Sequence, residues 1–401
     1  MASGIANLRK IQIGEETTAK GTPAAATAVL LGELTMKETP TIVRPAEERA
    51  NLAQHTRSHK VANMAELQFK GEVTFEQLLY FLHMGILGDV TPVAGPSNKI
   101  WTFTPSLVAA GTYDSFTIED GDDVQAWETE YCMASKIVIT GGMNEPLQVT
   151  VDIFGRKMTQ TSFTGSLSAP TVESVITQMG RIYIDDEDGV IGTTVKSSTL
   201  ISFTLTINTG LSPVRHADGS LDFSTYQEGP KSVELQMTLA FNSGVETEHT
   251  YYNGETLRLV RLEFQGDDVT THVDSTDTVQ DDPLSDSATT LNVSDGGNFE
   301  VGETIKIEDE YLRITAINTN TLTVIRGVYG TTAASHVQTT AIYEENDKRL
   351  TLDICGIYTD FASLGERDGE DVIDCVLSSQ LGANYTGLFE VVVVNAVASL
   401  P

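Results

Sequence analysis

Polar and apolar residues alternate along most of this chain with the two-residue period of half-buried β-strands. Ala65, Leu67 and Phe69 interleave with Glu66, Gln68 and Lys70; Leu147, Val149, Val151 and Ile153 interleave with Gln148, Thr150 and Asp152. The beat returns at Ile201, Phe203, Leu205 and Ile207, and at Val233, Leu235, Met237, Leu239 and Phe241. Shorter strands are predicted at Leu8–Ile13, Ala28–Met36, Trp101–Thr104, Lys136–Thr140, Ile182–Ile184, Leu350–Ile354, Val372–Leu377 and Phe389–Val394. Gly141–Pro146 reads as a hairpin turn between two of them. One segment keeps a different time. Phe75, Leu78, Leu79, Leu82 and Ile86 follow helical spacing behind the capping-box pattern Thr74-x-x-Gln77, and Gly85 and Gly88 mark the stop. His83, beside that stripe, reads as structural.

The pattern is also said twice. Shifted by 171 positions, Ile11, Ile13, Glu16, Gly21, Thr22, Leu34, Thr35, Val43 and Arg44 fall on identical residues, nine in 34 positions. Glu66-Leu67-Gln68 meets Glu234-Leu235-Gln236 at an offset of 168. An internal repeat is strong evidence of architecture, and it predicts two related β domains in tandem. Where the first repeat has its helix, the second has Asn242 to Gly254, polar and a poor helix former. Seven aspartates and no lysine or arginine in residues 267–286 mark a boundary. A small alternating module follows, and strand patterns of the second repeat then resume, so the module reads as an insertion. The expected division is 1–160 for the first domain, 161–175 for a Ser/Thr/Ala-rich linker, 176–275 with 342–401 for the second domain, and 281–341 for the insert.

Length and hydrophobic content of 40% suffice for ordinary cores. No apolar run reaches the length of a membrane helix. The first ten residues lack the apolar stretch of a signal peptide, so synthesis in a cytoplasm without export is expected. Cys132, Cys355 and Cys375 have no metal-ligand spacing and read as small buried thiols. The net charge of −31 argues against a protein that clamps nucleic acid, because phosphate contacts need lysine and arginine. Against that background residues 37–60 stand out. This long connection carries Lys37, Arg44, Arg49, Arg57 and Lys60, five of 25 basic side chains, against Glu38, Glu47 and Glu48. A locally basic loop on an acidic protein is a candidate contact with another acidic surface, most simply another copy. Pro40 and Pro45 are expected to prevent regular ladder pairing there. No catalytic triad, paired-carboxylate site, dinucleotide fingerprint or metal cluster stands above background, and no cofactor or enzyme activity is expected.

Several features together resemble the major tail tube protein of long-tailed bacteriophages. They are the opening Ile11-Gln-Ile13-Gly-Glu-Glu with Gly21-Thr22, the loop 37–60, the strand and helix of Glu66–Gly88, the hairpin Ile137–Phe154, and the close Tyr385–Asn395. The resemblance implies a mainly β fold: two tail-tube-like barrel or sandwich domains, each with at most one flanking helix, plus the inserted all-β module. It implies a virion protein, assembled in the host cytoplasm, whose domains make rings of six that stack into the tube. Two domains per chain would need three chains per ring. Lys37, Arg44, Glu48, Arg49, Arg57, Lys60 and Arg215 are then candidates for contacts between rings. Glu66, Gln68, Gln148, Asp152, Glu234 and Gln236 are candidates for the bore. Expected partners are copies of itself, tape-measure, terminator and baseplate proteins, and phage DNA in non-sticking passage, with no membrane insertion. The insert is expected to project outward. Alternatives are a contractile-tail or secretion-system tube protein, or a modular surface adhesin or array protein.

Overall fold

The structure, a computed structural model, describes residues 5–48, 50, 52–94, 98–268, 273–367, 369–385 and 387–400. The first half begins with β1 (Lys10–Glu15), β2 (Ala28–Leu30), β3 (Glu33–Glu38), β4 (Thr41–Val43), β5 (His59–Ala62) and β6 (Ala65–Glu72). Helix α1 (Leu78–Gly85) follows, then β7 (Val93–Ala94), β8 (Lys99–Phe103), β9 (Phe116–Gly121), β10 (Ala126–Gly142), β11 (Gln148–Gly155) and β12 (Lys157–Thr161). The second half opens with β13 (Gly180–Asp186), β14 (Leu200–Asn208), β15 (Leu211–Val214), β16 (Thr225–Glu228), β17 (Ser232–Ala240), α2 (Ser243–Asn253) and β18 (Arg258–Asp268). The module holds β19 (Val273–Thr278), β20 (Thr290–Asn292), β21 (Thr304–Ile307), β22 (Glu310–Asn318), β23 (Thr321–Arg326) and β24 (Ala341–Glu345). The chain closes with β25 (Asp347–Phe361), β26 (Gly365–Arg367), β27 (Glu370–Ser379) and β28 (Phe389–Asn395).

The fold is mainly β, with tandem β domains whose strands pair in the same order. In the first half that order is β1–β9–β10–β11–β6–β3. In the second it is β13–β18–β25–β27–β17–β14. The long strands β10 and β25 each cross from one sheet to the other, and each bulges at the corner, at Ser135 and at Thr359. Both also take a further strand on the outer side of their first segment, β12 and β28. The halves are joined by strand pairing in two places, Lys136–Gly142 of β10 with Ser202–Asn208 of β14 edge to edge, and Val391–Asn395 of β28 with Lys99–Phe103 of β8. One apolar core runs through both, from Ile11 and Ile13 to Val391 and Val393.

Two glycines carried by the repeat have a shared reason. Gly21 and Gly192 both sit at positive φ, 76° and 88°, and a Cβ on either would strike a guanidinium, that of Arg156 or Arg261. Gly21→Ala and Gly192→Ala are therefore each expected to cost about 1–2 kcal/mol in urea denaturation. Gly165→Ala, where the space is open, should stay within about 0.5 kcal/mol.

Three expectations need correction. Asn242–Gly254 is helical after all. The Asn242 side chain caps α2, accepting from the N–H groups of Gly244 (2.9 Å) and Val245 (3.2 Å). What anchors this helix is a carboxylate rather than an apolar stripe. Glu248, fully buried, accepts from Arg258 Nε (2.9 Å) and Nη2 (3.0 Å), with Lys196 Nζ at 3.0 Å and the Tyr358 hydroxyl at 3.3 Å. Residues 37–60 do contain a ladder, since β4 and β5 pair as a hairpin arm. Pro40 and Pro45 flank β4 instead of interrupting it. Finally, Thr74 Oγ1 does accept from Gln77 N (3.0 Å), but the Gln77 side chain accepts from Leu31 N (3.3 Å) rather than returning to Thr74.

Candidate assembly surfaces

The two halves present one continuous antiparallel sheet of eight strands, β3–β6–β11–β10–β14–β17–β27–β25. Because successive side chains point to opposite faces, one face enters the core and the other is polar. All six residues proposed for the bore lie on that polar face. Gln68 stands opposite Asp152 and donates to it through Nε2 (2.8 Å). Glu66 is opposite Lys37, and Gln148 opposite Glu72. Glu234 and Gln236 neighbour one another on β17, with Gln236 Nε2 donating to Glu234 (2.8 Å). The same face carries Glu33, Glu66, Glu72, Asp152, Glu234, Asp360 and Asp374 against Lys37, Lys70 and Lys136. Its net charge is negative.

The candidates for contacts between rings are less uniform. Lys37 projects from the polar face of β3, Arg44 and Glu48 are exposed on the arm, and Arg49 lies outside the described residues. Arg57 pairs with Glu47, and Lys60 with Glu38 at 3.3 Å. Glu38 is held below the usual carboxylate range, first by a hydrogen bond from Asn63 and then by Lys60. Arg215 donates to the Asn63 carbonyl (3.2 Å), tying the second half's loop to the base of the arm. Sequence reading missed the arm's apolar content. Ile42, Val43 and Val61 are exposed on it.

The module is a six-stranded sheet, β19–β24–β21–β22–β23–β20, with a core of its own that includes Leu291, Ile305, Leu312 and Leu322. It is seated against β18 and the first segment of β25 through a buried ionic network. Arg313 Nη1 meets Glu263 Oε2 at 3.0 Å, Arg349 donates to Thr304 Oγ1 (3.0 Å) and the Gly302 carbonyl (2.8 Å), and Tyr329 donates to Asp347. Burial pushes Glu263 up, but Arg313, Arg349 and Arg261 outweigh it and hold it below the ordinary carboxylate value. No sequence signal identified this seat, because its members are scattered from Glu263 to Arg349.

Beside the seat, burial, reinforced by the charges of Glu344 and Glu300, pushes Glu303 up to about 8, and burial takes Glu344 to about 7. Raised carboxyls favour the fold when protonated. That contribution is fully present below 4.5, their ordinary value, and is lost as pH rises through 7 and 8. Urea denaturation should accordingly show stability falling between those limits, and Glu303→Gln should flatten the fall.

His83 Nδ1 lies 2.7 Å from Asp114 Oδ2 and meets Trp101 and Phe103 edge-on. All three cysteines are free and buried, as read from sequence. Burial pushes the Cys355 and Cys375 thiols up to about 11 and about 12, so neither is a reactive thiolate at neutral pH. Among the described residues no helix is long and apolar enough to cross a membrane.

A polar acidic sheet face and a projecting arm on a duplicated β frame are the features of something built to assemble. The family profile described as phage tail tube protein matches residues 6–308. The chain belongs to the phage tail tube protein family. No curated protein matches it. Membership makes this a structural component of the phage tail, in a family of structural rather than catalytic proteins that assemble into a tube.

Proposed function

We propose that the chain polymerises into rings of three that stack into the hollow tail tube through which phage DNA passes. The observation that carries this is the junction inside the chain. The second half is already fastened to the first by strand pairing between β10 and β14, and the duplicated strand order supplies the same two edges again at the outer ends. A joint that repeats by rotation closes a ring, and six domains from three chains would make it pseudo-sixfold. The acidic sheet face would line the bore, where it repels phosphates so that DNA slides past. The basic arm would reach the acidic neighbouring ring, and the module would decorate the outside. Assembly in the host cytoplasm, with tape-measure, terminator and baseplate proteins as partners, completes the reading.

Light scattering of purified protein should report multiples of three chains, and negative-stain images should show hollow tubes of stacked rings. Charge reversal of Arg44 together with Arg49 should stop stacking while leaving single rings, visible as discs. Isolated beads or flat lattices from the unaltered protein would refute the tube.

A further inference from the structure

The two halves differ in what covers them, and the difference identifies a partner surface. Within the chain, Lys136–Gly142 of β10 is covered by β14, whose Phe203, Leu205 and Ile207 are buried. The stretch that follows the matching bulge in the second half is Asp360–Glu366. Among the described residues no strand pairs with its outer side, and Ser363 to Glu366 are exposed. The counterpart of β14 in the first half is β3, which pairs only with β6 among the described strands and is mostly exposed. Each half thus keeps one member of the joint that the chain makes once internally.

The register can be carried over strand by strand. Leu34 faces Phe69 as Phe203 faces Met237, and Ala134–Lys136 flank their bulge as Tyr358–Asp360 flank theirs. Past Phe361 a second one-residue shift separates Phe361↔Cys375 from Gly365↔Val372, so Gly365 stands against β27 where Thr140 stands against β11, facing Gln148. Beside Leu364 lies a cleft of about 600 Å³ lined by Phe241, Phe361, Leu364 and Ile373 together with Glu246 and His249 of α2. The hairpins follow the same rule. Leu211 pairs with Glu228 as Ile42 pairs with Lys60, yet Leu211 is buried against the first half while Ile42 is 52% exposed.

We propose that β3 and the arm of one copy dock on the Asp360–Glu366 edge of a second copy, in antiparallel register with Glu38 opposite Phe361 and, past that shift, Met36 opposite Leu364 and Thr35 opposite Gly365. Met36 meets Leu364 at the cleft, and Ile42 seats near Ile357, as Leu211 seats near Met133 within the chain. The base of the arm is then a clasp between neighbours of one ring, and only its charged tip is free to reach the next ring. This rests on the ring reading above and specifies its joint.

Cysteines placed by this register provide the test. Thr35→Cys with Gly365→Cys puts two thiols at exposed positions directly opposite each other, while the native thiols are buried. Mild oxidation should yield a ladder on non-reducing gels that ends at three chains and collapses on reduction. Glu33→Cys with Ala362→Cys, four residues out of register, should yield none. Ile42→Asp should weaken self-association by about tenfold or more, leaving a folded chain by circular dichroism. Rings in micrographs without the Thr35–Gly365 cross-link would overturn the joint and leave the ring reading standing. Absence of both rings and cross-links would overturn the two together.

Discussion

Arg313→Ala is expected to cost about 3–5 kcal/mol in urea denaturation, among the largest effects of any single substitution in the chain. The argument is desolvation. Glu263 is buried beneath the module, and Arg313 supplies its direct ion pair at 3.0 Å. Truncating the arginine leaves a buried carboxylate with its nearest counter-charge gone, and also empties the space between Thr304 and Tyr329 that the guanidinium fills. The module should then become more sensitive to limited proteolysis around residues 290–330 than it is in the unaltered chain. A buried pair broken on one side costs more than a pair removed whole. Arg313→Met combined with Glu263→Gln should therefore recover part of the loss. A cost below about 1 kcal/mol for Arg313→Ala would mean that the module is tethered and not seated.

The second large effect is expected at Glu248→Ala, again about 3–5 kcal/mol, by the same logic applied to a helix. Burial opposes the charge on Arg258, but Glu248 and Asp186 outweigh it and raise its affinity for the proton. Without Glu248, Arg258 loses two of its hydrogen bonds and remains buried, and α2 loses its principal attachment to β18 and β25. Loss of helical signal in the far ultraviolet should accompany the fall in stability. Glu248→Gln, which keeps the shape and some of the hydrogen bonding, should cost less. An unchanged midpoint for Glu248→Ala would show that α2 is held by Val245 and the Tyr252–Phe361 stack instead.

These two sites also show where the sequence was silent. Strands were legible because their period of two is enforced by one buried face, so Gln68, Asp152, Glu234 and Gln236 could be assigned to a common polar face before any coordinates. The duplication was legible in β1 and β13, where Ile11 and Ile13 match Ile182 and Ile184. It blurred in β3, where Leu34 takes the place of Phe203 and not of Leu205. Such a slip of two residues preserves the facing and so escapes a pattern search. Helix α2 was illegible because only Val245 and Glu248 on it are buried. Its hold on the sheet is ionic, and ion pairs between distant residues leave no periodic trace. The hairpin arm was hidden by Pro40 and Pro45, which read as breakers although they merely bound β4. The free edges at β3 and Asp360–Glu366 emerged only when the pairing of the two halves was compared.

End-on averaging of electron micrographs of the purified assembly examines the account most directly. A chain that is its own dimer of tube domains should give a hollow ring of six similar lobes carrying three peripheral projections, one per module. A ring with six projections would mean six chains and an idle second half, and a solid particle without a bore would contradict the conduit itself.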